Sequence, residues 1–387
     1  MPHNKRPFGV YVHWPFCLSK CPYCDFNSHV RAHVDHAQWA AALMQEIQYF
    51  SMHIAPRPID SIFFGGGTPS LMAPQTVEAV LSCLQQQWGF SKNIEITLEA
   101  NPTSVEADKF AAFAGLGVNR LSLGVQSLRP QALKMLGREH SVEDARRAIE
   151  LASKHFPRYS FDLIYARPDQ SLAAWNDELS EAISMAGDHL SLYQLTIEKG
   201  TAFYTQWRQG KLQIPAEEQA ADFYNLTQDI CSGAQLPAYE ISNHAAVGGE
   251  SRHNLVYWTY GDYVGIGPGA HGRLTLVDGQ RVAYHQHRLP EAWMAAISDN
   301  GHGTAQREVL SMRHQAEEML MMGLRLTAGV SLRDFQDCIG RPVSDYIDME
   351  KLGSFKEQGL VVDDPQCLKL TGDGRLVMNN LLGQLLT

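Results

Sequence analysis

The strongest constraint on this chain is an alternation that runs through its first two hundred residues. Apolar runs of strand length alternate with longer stretches whose apolar residues recur at helical spacing. Phe8–His13 precedes His36–Met52, in which Trp39, Leu43, Ile47 and Phe50 share a face. The short run Asp60–Phe64 precedes Pro74–Trp88, and Asn93–Ala100 precedes Val105–Leu116. Asn119–Val125 precedes Ser141–His155, Tyr159–Tyr165 precedes Leu172–Met185, and His189–Thr196 follows as a further strand. Strands separated by single helices and short loops pair in parallel through right-handed crossovers. A doubly wound sheet and an open barrel both satisfy this pattern. Both place function at the C-terminal ends of the strands.

At 387 residues the chain can hold one large domain and a smaller one. Residues 1–200 carry the alternation. Residues 201–304 read as a connecting region, with a helix at Pro215–Cys231, a strand at Ala238–Ser242 and a Gly-, His- and aromatic-rich stretch at Ser251–His271. Residues 305–387 change character. His314–Leu326, Ser331–Ile339 and Val343–Gln358 are helical, Leu360–Thr371 reads as a hairpin, and Gly374–Leu386 closes with a helix. Helices with a hairpin predict a small α+β, winged-helix-like domain. Met319, Met321 and Met322 read as its core.

Formal net charge is −10, which disfavours nonspecific nucleic-acid binding. The segment from Gly301 onward holds nine Lys/Arg against twelve Asp/Glu, so its helices do not read as a DNA-recognition surface. No apolar run reaches the length of a membrane span. The basic start, Lys5-Arg6, has no apolar stretch behind it. A cytoplasmic protein is expected, and peripheral membrane contact is compatible with it. Either a monomer or a homodimer is compatible with the sequence.

Directly after the first strand come Cys17, Cys21 and Cys24, spaced Cys-x3-Cys-x2-Cys. Three is odd and the spacing is tight, so these are not disulfide halves. A structural zinc site wants a fourth Cys or His close by. A [4Fe–4S] cluster is normally held by four thiolates, and three leave one iron open to an outside ligand. The other four cysteines, Cys83, Cys231, Cys338 and Cys367, are isolated and read as thiols in a reducing compartment.

This triplet at the end of a first strand resembles the radical S-adenosylmethionine (SAM) superfamily, in which SAM chelates the open iron. The following Cys24-Asp25-Phe26-Asn27-Ser28 resembles the branch that contains oxygen-independent coproporphyrinogen III dehydrogenase and the HemW-type haem chaperones. The dehydrogenases carry a further cysteine where this chain has Phe26, and a Phe there is typical of the chaperones. The resemblance covers nearly the whole chain. It implies a partial (β/α)6 barrel, a [4Fe–4S] cluster on Cys17, Cys21 and Cys24, and bound SAM.

The residues at successive strand ends fit that reading. Gly65-Gly66-Gly67-Thr68-Pro69 ends the second strand, and consecutive glycines let a backbone come close to a ligand. Glu99 ends the third strand, where a carboxylate can accept from an ammonium or a ribose hydroxyl. Gln126 ends the fourth, Asp162 lies on the fifth, and Arg138 offers a guanidinium for a carboxylate. The resemblance implies SAM contacts from Gly66, Gly67, Thr68, Glu99, Gln126, Arg138 and Asp162, with Tyr11 and Tyr23. Further on, His253-Asn254-Leu255-Val256-Tyr257-Trp258 matches the His-Asn-x-x-Tyr-Trp motif that the chaperones link to haem. Imidazole is a common haem ligand and aromatic rings pack on a macrocycle, so His253, Tyr257 and Trp258 are the expected haem residues, with His271 as a second ligand candidate. Gly265-Ile266-Gly267 is expected to fold its loop tightly against the barrel mouth.

Two functions follow from the resemblance. One is a haem chaperone on a radical-SAM scaffold, passing haem to acceptor proteins. The other is coproporphyrinogen III dehydrogenase, which cleaves SAM to start two oxidative decarboxylations. Phe26, the His253–Trp258 motif and the short segment before the cysteines favour the chaperone.

Overall fold

The computed structural model describes residues 6–386. Its organising element is one eleven-stranded sheet. The strands are β1 (Phe8–Trp14), β2 (Ile59–Gly66), β3 (Phe90–Ala100), β4 (Arg120–Gln126), β5 (Arg158–Tyr165), β6 (His189–Gln194), β7 (Asn243–Ala245), β8 (Asp262–Ile266), β9 (His271–Thr275), β10 (Arg281–Gln286) and β11 (Thr304–Val309). They are ordered β11-β10-β9-β8-β1-β2-β3-β4-β5-β6-β7. Every pairing from β8 through β1 to β6 is parallel, and the flanking pairings at both ends are antiparallel. The terminal strands β7 and β11 do not pair with each other, so the barrel is partial, as expected.

Helices between the strands cover the outside. Among them are α1 (His36–Ser51), α2 (Pro74–Trp88), α3 (Val142–His155) and α4 (Leu172–Met185). Asp35 starts α1 by accepting from the Gln38 amide, and the helix buries Trp39, Leu43, Ile47 and Phe50. Outward-facing strand residues such as Val10, Ile62, Leu98, Leu121 and Leu163 meet these helices in one continuous core. Fully burying each such side chain contributes about 1.5–3 kcal/mol.

The segment 201–304 does more than connect. It supplies β7 to β10, and β8 pairs with β1 on the side away from β2. The strand expected at Ala238–Ser242 falls at Asn243–Ala245 instead. The buried Glu240 carboxylate accepts from Ser242 N, Ser242 Oγ and Asn243 Nδ2, a local turn that competes with extended pairing. The single helix expected over Val105–Leu116 is two, Ser104–Ala107 and Phe110–Gly115. Glu106 turns inward to the Asn101 amide while Lys109 reaches the carbonyls of Ser70 and Leu71, and the chain turns between them.

The C-terminal region packs a second core from Leu320, Phe335, Leu352, Phe355, Leu368 and Leu381. Its helices are Met312–Gly323, Leu332–Ile339, Met349–Glu357, Gly372–Leu376 and Met378–Leu385. The expected helix over Val343–Gln358 is interrupted because Asp348 caps a fresh start, accepting from Glu350 N and Lys351 N. The closing helix is likewise divided, at Val377. The expected hairpin is a narrow wing: Val361 bridges Leu370, and Cys367–Leu368 pairs with Val330–Ser331. Met319 is core, but Met321 is exposed. Arg273–Glu318 and Arg325–Glu240 tie the region to the barrel. No helix among the described residues is long and apolar enough to cross a membrane.

Candidate functional site

The loop after β1 carries the three cysteines across the barrel mouth, and all three sulfurs line one cavity there. Each sulfur has a polar neighbour. Thr68 Oγ1 donates to Cys17 Sγ at 3.4 Å, and Arg138 Nη1 donates to Cys21 Sγ at 3.3 Å. Ser28 Oγ stands 3.9 Å from Cys24 Sγ. Burial pushes the Cys17 and Cys24 thiols up, and neighbouring cysteine charge pushes in the same direction. Thiols raised by burial and mutual repulsion, yet supplied with donors, suit a positively charged group that would hold all three as thiolates. Among the described residues, no three His, Cys, Asp or Glu side chains form a ready single-ion cage.

The same cavity collects Tyr23, Gly66, Gly67, Thr68, Glu99, Gln126, Arg138 and Asp162. Eight of the nine expected SAM residues therefore converge although they come from five successive strand regions. Tyr11 is the ninth, and it lies elsewhere, as described below.

The glycine turn works first as a clamp. Gly66 has a φ of 114°, and a Cβ there would stand 2.6 Å from the His13 ring. A Cβ on Gly67 would stand 2.7 Å from the Phe16 carbonyl oxygen. The amides of this turn are not open to a ligand. Gly66 N donates to Glu99 Oε2, Gly67 N to the Trp14 carbonyl and Thr68 N to the Phe16 carbonyl. The turn thereby fastens β2 to the cysteine loop.

Glu99 and Asp162 face the cavity as two carboxyl groups whose burial outweighs the positive charge of Arg120 and, for Asp162, of Arg138. Burial, then the charge of Asp162, pushes Glu99 up to about 8, against the Gly66 amide and Arg120. Burial pushes Asp162 up to about 6. Such a pair is poised to accept a cation. Arg138 is held rather than free. Its Nη2 donates to Asn101 Oδ1 at 2.6 Å and to the Gly124 carbonyl at 2.8 Å, while its buried Nε has no hydrogen-bond partner. Asn101 in turn donates to Thr68 Oγ1 and is gripped by Glu106. Asn101 and Glu106 thus orient both Thr68 and Arg138. The sequence signal for Asn101 was its place two residues past Glu99 at a strand end.

A second cavity of about 400 Å³ adjoins the first. Phe26, Gly66 and Glu99 line both. Tyr11, His13, Asn27, Tyr257, Tyr263, His271 and Arg288 line the rest of its wall with Gly269 and Ala270. The His13 Nε2 donates to the Asn27 carbonyl at 2.8 Å, so Nδ1 accepts the Tyr11 hydroxyl at 3.0 Å. The Asn27 side chain donates to the carbonyls of Pro268 and Arg288, which tethers the cysteine loop to the second cavity's wall. Gly267 packs against the His13 carbonyl, as the tight-loop reading expects, and its amide donates to the buried Glu46. Phe26 is 62% exposed, a bare apolar ring on the rim.

The His253–Trp258 motif is one short helix, Arg252–Trp258, and it does not present one face to a ligand. His253 is 2% exposed; its Nδ1 lies 2.9 Å from Ser61 Oγ and its Nε2 2.7 Å from the Tyr257 hydroxyl. Its ring stacks on Phe63. Tyr257 does line the second cavity. Trp258 turns to the C-terminal region, where the Arg325 guanidinium lies 4.6 Å over its ring.

Comparisons with known proteins agree with this geometry. The Radical SAM superfamily profile matches residues 11–181, and the HemN C-terminal domain profile matches residues 310–377. Mitochondrial radical S-adenosyl methionine domain-containing protein 1 of Bos taurus is 40% identical, over 98% of this chain and 87% of its own length. Heme chaperone HemW of Escherichia coli is 35% identical, covering 97% of both chains. That of Haemophilus influenzae is 34% identical, covering 98% of both. In fold the chain matches the E. coli coproporphyrinogen III oxidase HemN, a radical SAM enzyme, with a TM-score of 0.82 over 98% of this chain and 90% of that one, at 21% identity.

Proposed function

This chain belongs to the radical SAM superfamily, in the branch that holds Heme chaperone HemW and mitochondrial radical SAM domain-containing protein 1, and from that membership we propose that it is a haem chaperone. In this reading Cys17, Cys21 and Cys24 hold a [4Fe–4S] cluster, and SAM completes its coordination. Glu99 and Asp162 face the cationic part of SAM, while Thr68, Gln126, Tyr23 and Arg138 wall its pocket. When bound, the cluster would supply an open iron for SAM to chelate and an electron donor beside it. Haem is the cargo, bound in the adjoining aromatic cavity and passed to acceptor proteins.

The observation that carries this reading is the pair of cavities with a shared wall. One is lined by the cysteines and carboxylates, the other by Tyr11, Tyr257, Tyr263 and Phe26. A volume of about 400 Å³ whose wall combines Tyr11, Phe26, Tyr257 and Tyr263 with imidazoles, an arginine and glycines suits a large flat ligand. At position 26 a ring replaces the thiol of the dehydrogenases. The four remaining cysteines, Cys83, Cys231, Cys338 and Cys367, form no disulfide and fit a reducing compartment. We place the protein in the cytoplasm, although the Bos taurus relative is mitochondrial by name.

The test is anaerobic reconstitution with iron and sulfide, followed by titration with haem and transfer to an apo-acceptor. A Soret band with about one haem per chain, and no protoporphyrinogen IX from coproporphyrinogen III, is the expected result. Catalytic conversion of coproporphyrinogen III would overturn the chaperone reading in favour of the dehydrogenase.

A further inference from the structure

A side chain that ligates haem iron needs a neutral imidazole nitrogen, free of other hydrogen bonds, facing a cavity that admits the macrocycle. The second cavity is lined by two histidines, His13 and His271. His13 is spent, since both its nitrogens are engaged by Tyr11 and Asn27. His253 is spent too, between Ser61 and Tyr257, and its burial beneath Phe63 leaves no approach.

His271 differs on each count. It opens β9 with a partly exposed side chain, and its ring nitrogens have no hydrogen-bond partner among the described residues. It lies opposite His285 in the antiparallel register of β9 and β10, and the two rings stack with centroids 3.9 Å apart. Stacking against a second ring limits rotation, so the imidazole is presented rather than left to wander. Burial, then the charges of His285, Arg273 and Arg288, lower its pKa to about 4, so it stays neutral near pH 7. The rest of the cavity supplies what a metalloporphyrin needs besides an iron ligand. Tyr257, Tyr263 and Phe26 offer aromatic surface, and Arg288 offers a guanidinium for a carboxylate side arm.

We infer that His271, not the histidine of the His-Asn-x-x-Tyr-Trp motif, is the protein ligand to haem iron, and that Arg288 pairs with a haem propionate. This rests on the haem reading above. The motif helix then serves the architecture of the cavity, with His253 bonded to the Tyr257 hydroxyl and Tyr257 lining the wall.

The experiment uses reconstituted full-length protein titrated with haemin, read by the Soret band, electron paramagnetic resonance and resonance Raman. Wild type should show a histidine–iron signature. His271→Ala should shift the Soret band and lose that signature, and added imidazole should restore it in this variant. His253→Gln, checked for folding by circular dichroism and for iron and sulfide content, should keep the wild-type signature. Arg288→Ala should weaken haemin binding without changing the signature. An unaltered signature in His271→Ala would overturn the assignment, as would its loss in a folded, cluster-bearing His253→Gln. If wild type binds no haemin at all, the haem reading itself fails.

Discussion

Glu99 should make ligand binding at the barrel mouth depend on pH. The carboxyl is pushed from an ordinary 4.5 up to about 8, by burial first and by Asp162 second. At pH 7 a group with that value is about 90% protonated. A ligand that brings a sulfonium against it favours the ionised form, so binding must release that proton. The Glu99 contribution to affinity should therefore rise roughly 50-fold between pH 6 and pH 8, about 2.3 kcal/mol, and level off above. The assay is calorimetric titration of reconstituted protein with SAM across that range, in buffers of differing ionisation enthalpy, for wild type and Glu99→Gln. The amine of SAM titrates alike with both proteins, so the difference between them isolates Glu99. Wild type should release about 0.9 proton more than the variant at pH 7 and about 0.1 more at pH 9. Stability of the SAM-free protein moves oppositely. A carboxyl raised in the folded state gives stability that is present below its unfolded value and lost as pH rises through its folded one. Glu99→Gln should thus stabilise the SAM-free fold by on the order of 3–5 kcal/mol at pH 9 but only about 1 kcal/mol at pH 5. Parallel affinity curves for the two proteins would refute the argument.

Three further outcomes follow from the same site. Cys21→Ser should abolish the iron–sulfur chromophore, because three thiolates are the minimum the site offers; unchanged iron and sulfide content would count against the assignment. Arg138→Lys keeps the charge but cannot reach Cys21, Asn101 and the Gly124 carbonyl with one planar fork, and should weaken SAM binding by about 1.5–3 kcal/mol in calorimetric titration. Gly66→Ala forces a Cβ into the His13 ring at a φ of 114°, and should lower stability to chemical denaturation by roughly 1–3 kcal/mol.

What was legible depended on how local the signal was. The change between strand and helix periods located β1 to β6, and Pro74–Trp88 and Leu172–Met185 fall where the spacing put them. The polar residues at the strand ends were legible as a set, since a parallel barrel gathers its C-terminal ends whatever the loops do. β8 to β11 were not legible. They are short, rich in Gly, His and polar residues, and the pairing of β8 with β1 joins Phe8 to Asp262, a separation that no local window registers. The role of His253 was equally hidden. A motif states which residues occur together, whereas Ser61 beneath it and Tyr257 one turn on decide whether its nitrogens are available. The amides of Gly66-Gly67-Thr68 are a similar case, because their acceptors at Trp14, Phe16 and Glu99 lie elsewhere in the chain.

The Asn27 side chain, bonded to the carbonyls of Pro268 and Arg288, has a thermodynamic consequence. It sits three residues past Cys24 and holds the wall of the neighbouring cavity. Ordering the cysteine loop therefore orders that wall, and under the proposed function the cluster and the haem would share one coupling free energy. Such coupling is reciprocal and is typically about 1–3 kcal/mol. Loss of the cluster should weaken haem binding by the same factor by which loss of haem weakens retention of the cluster. Asn27→Ala should make the two equilibria independent, which paired titrations of iron–sulfur content and haemin on this variant would show.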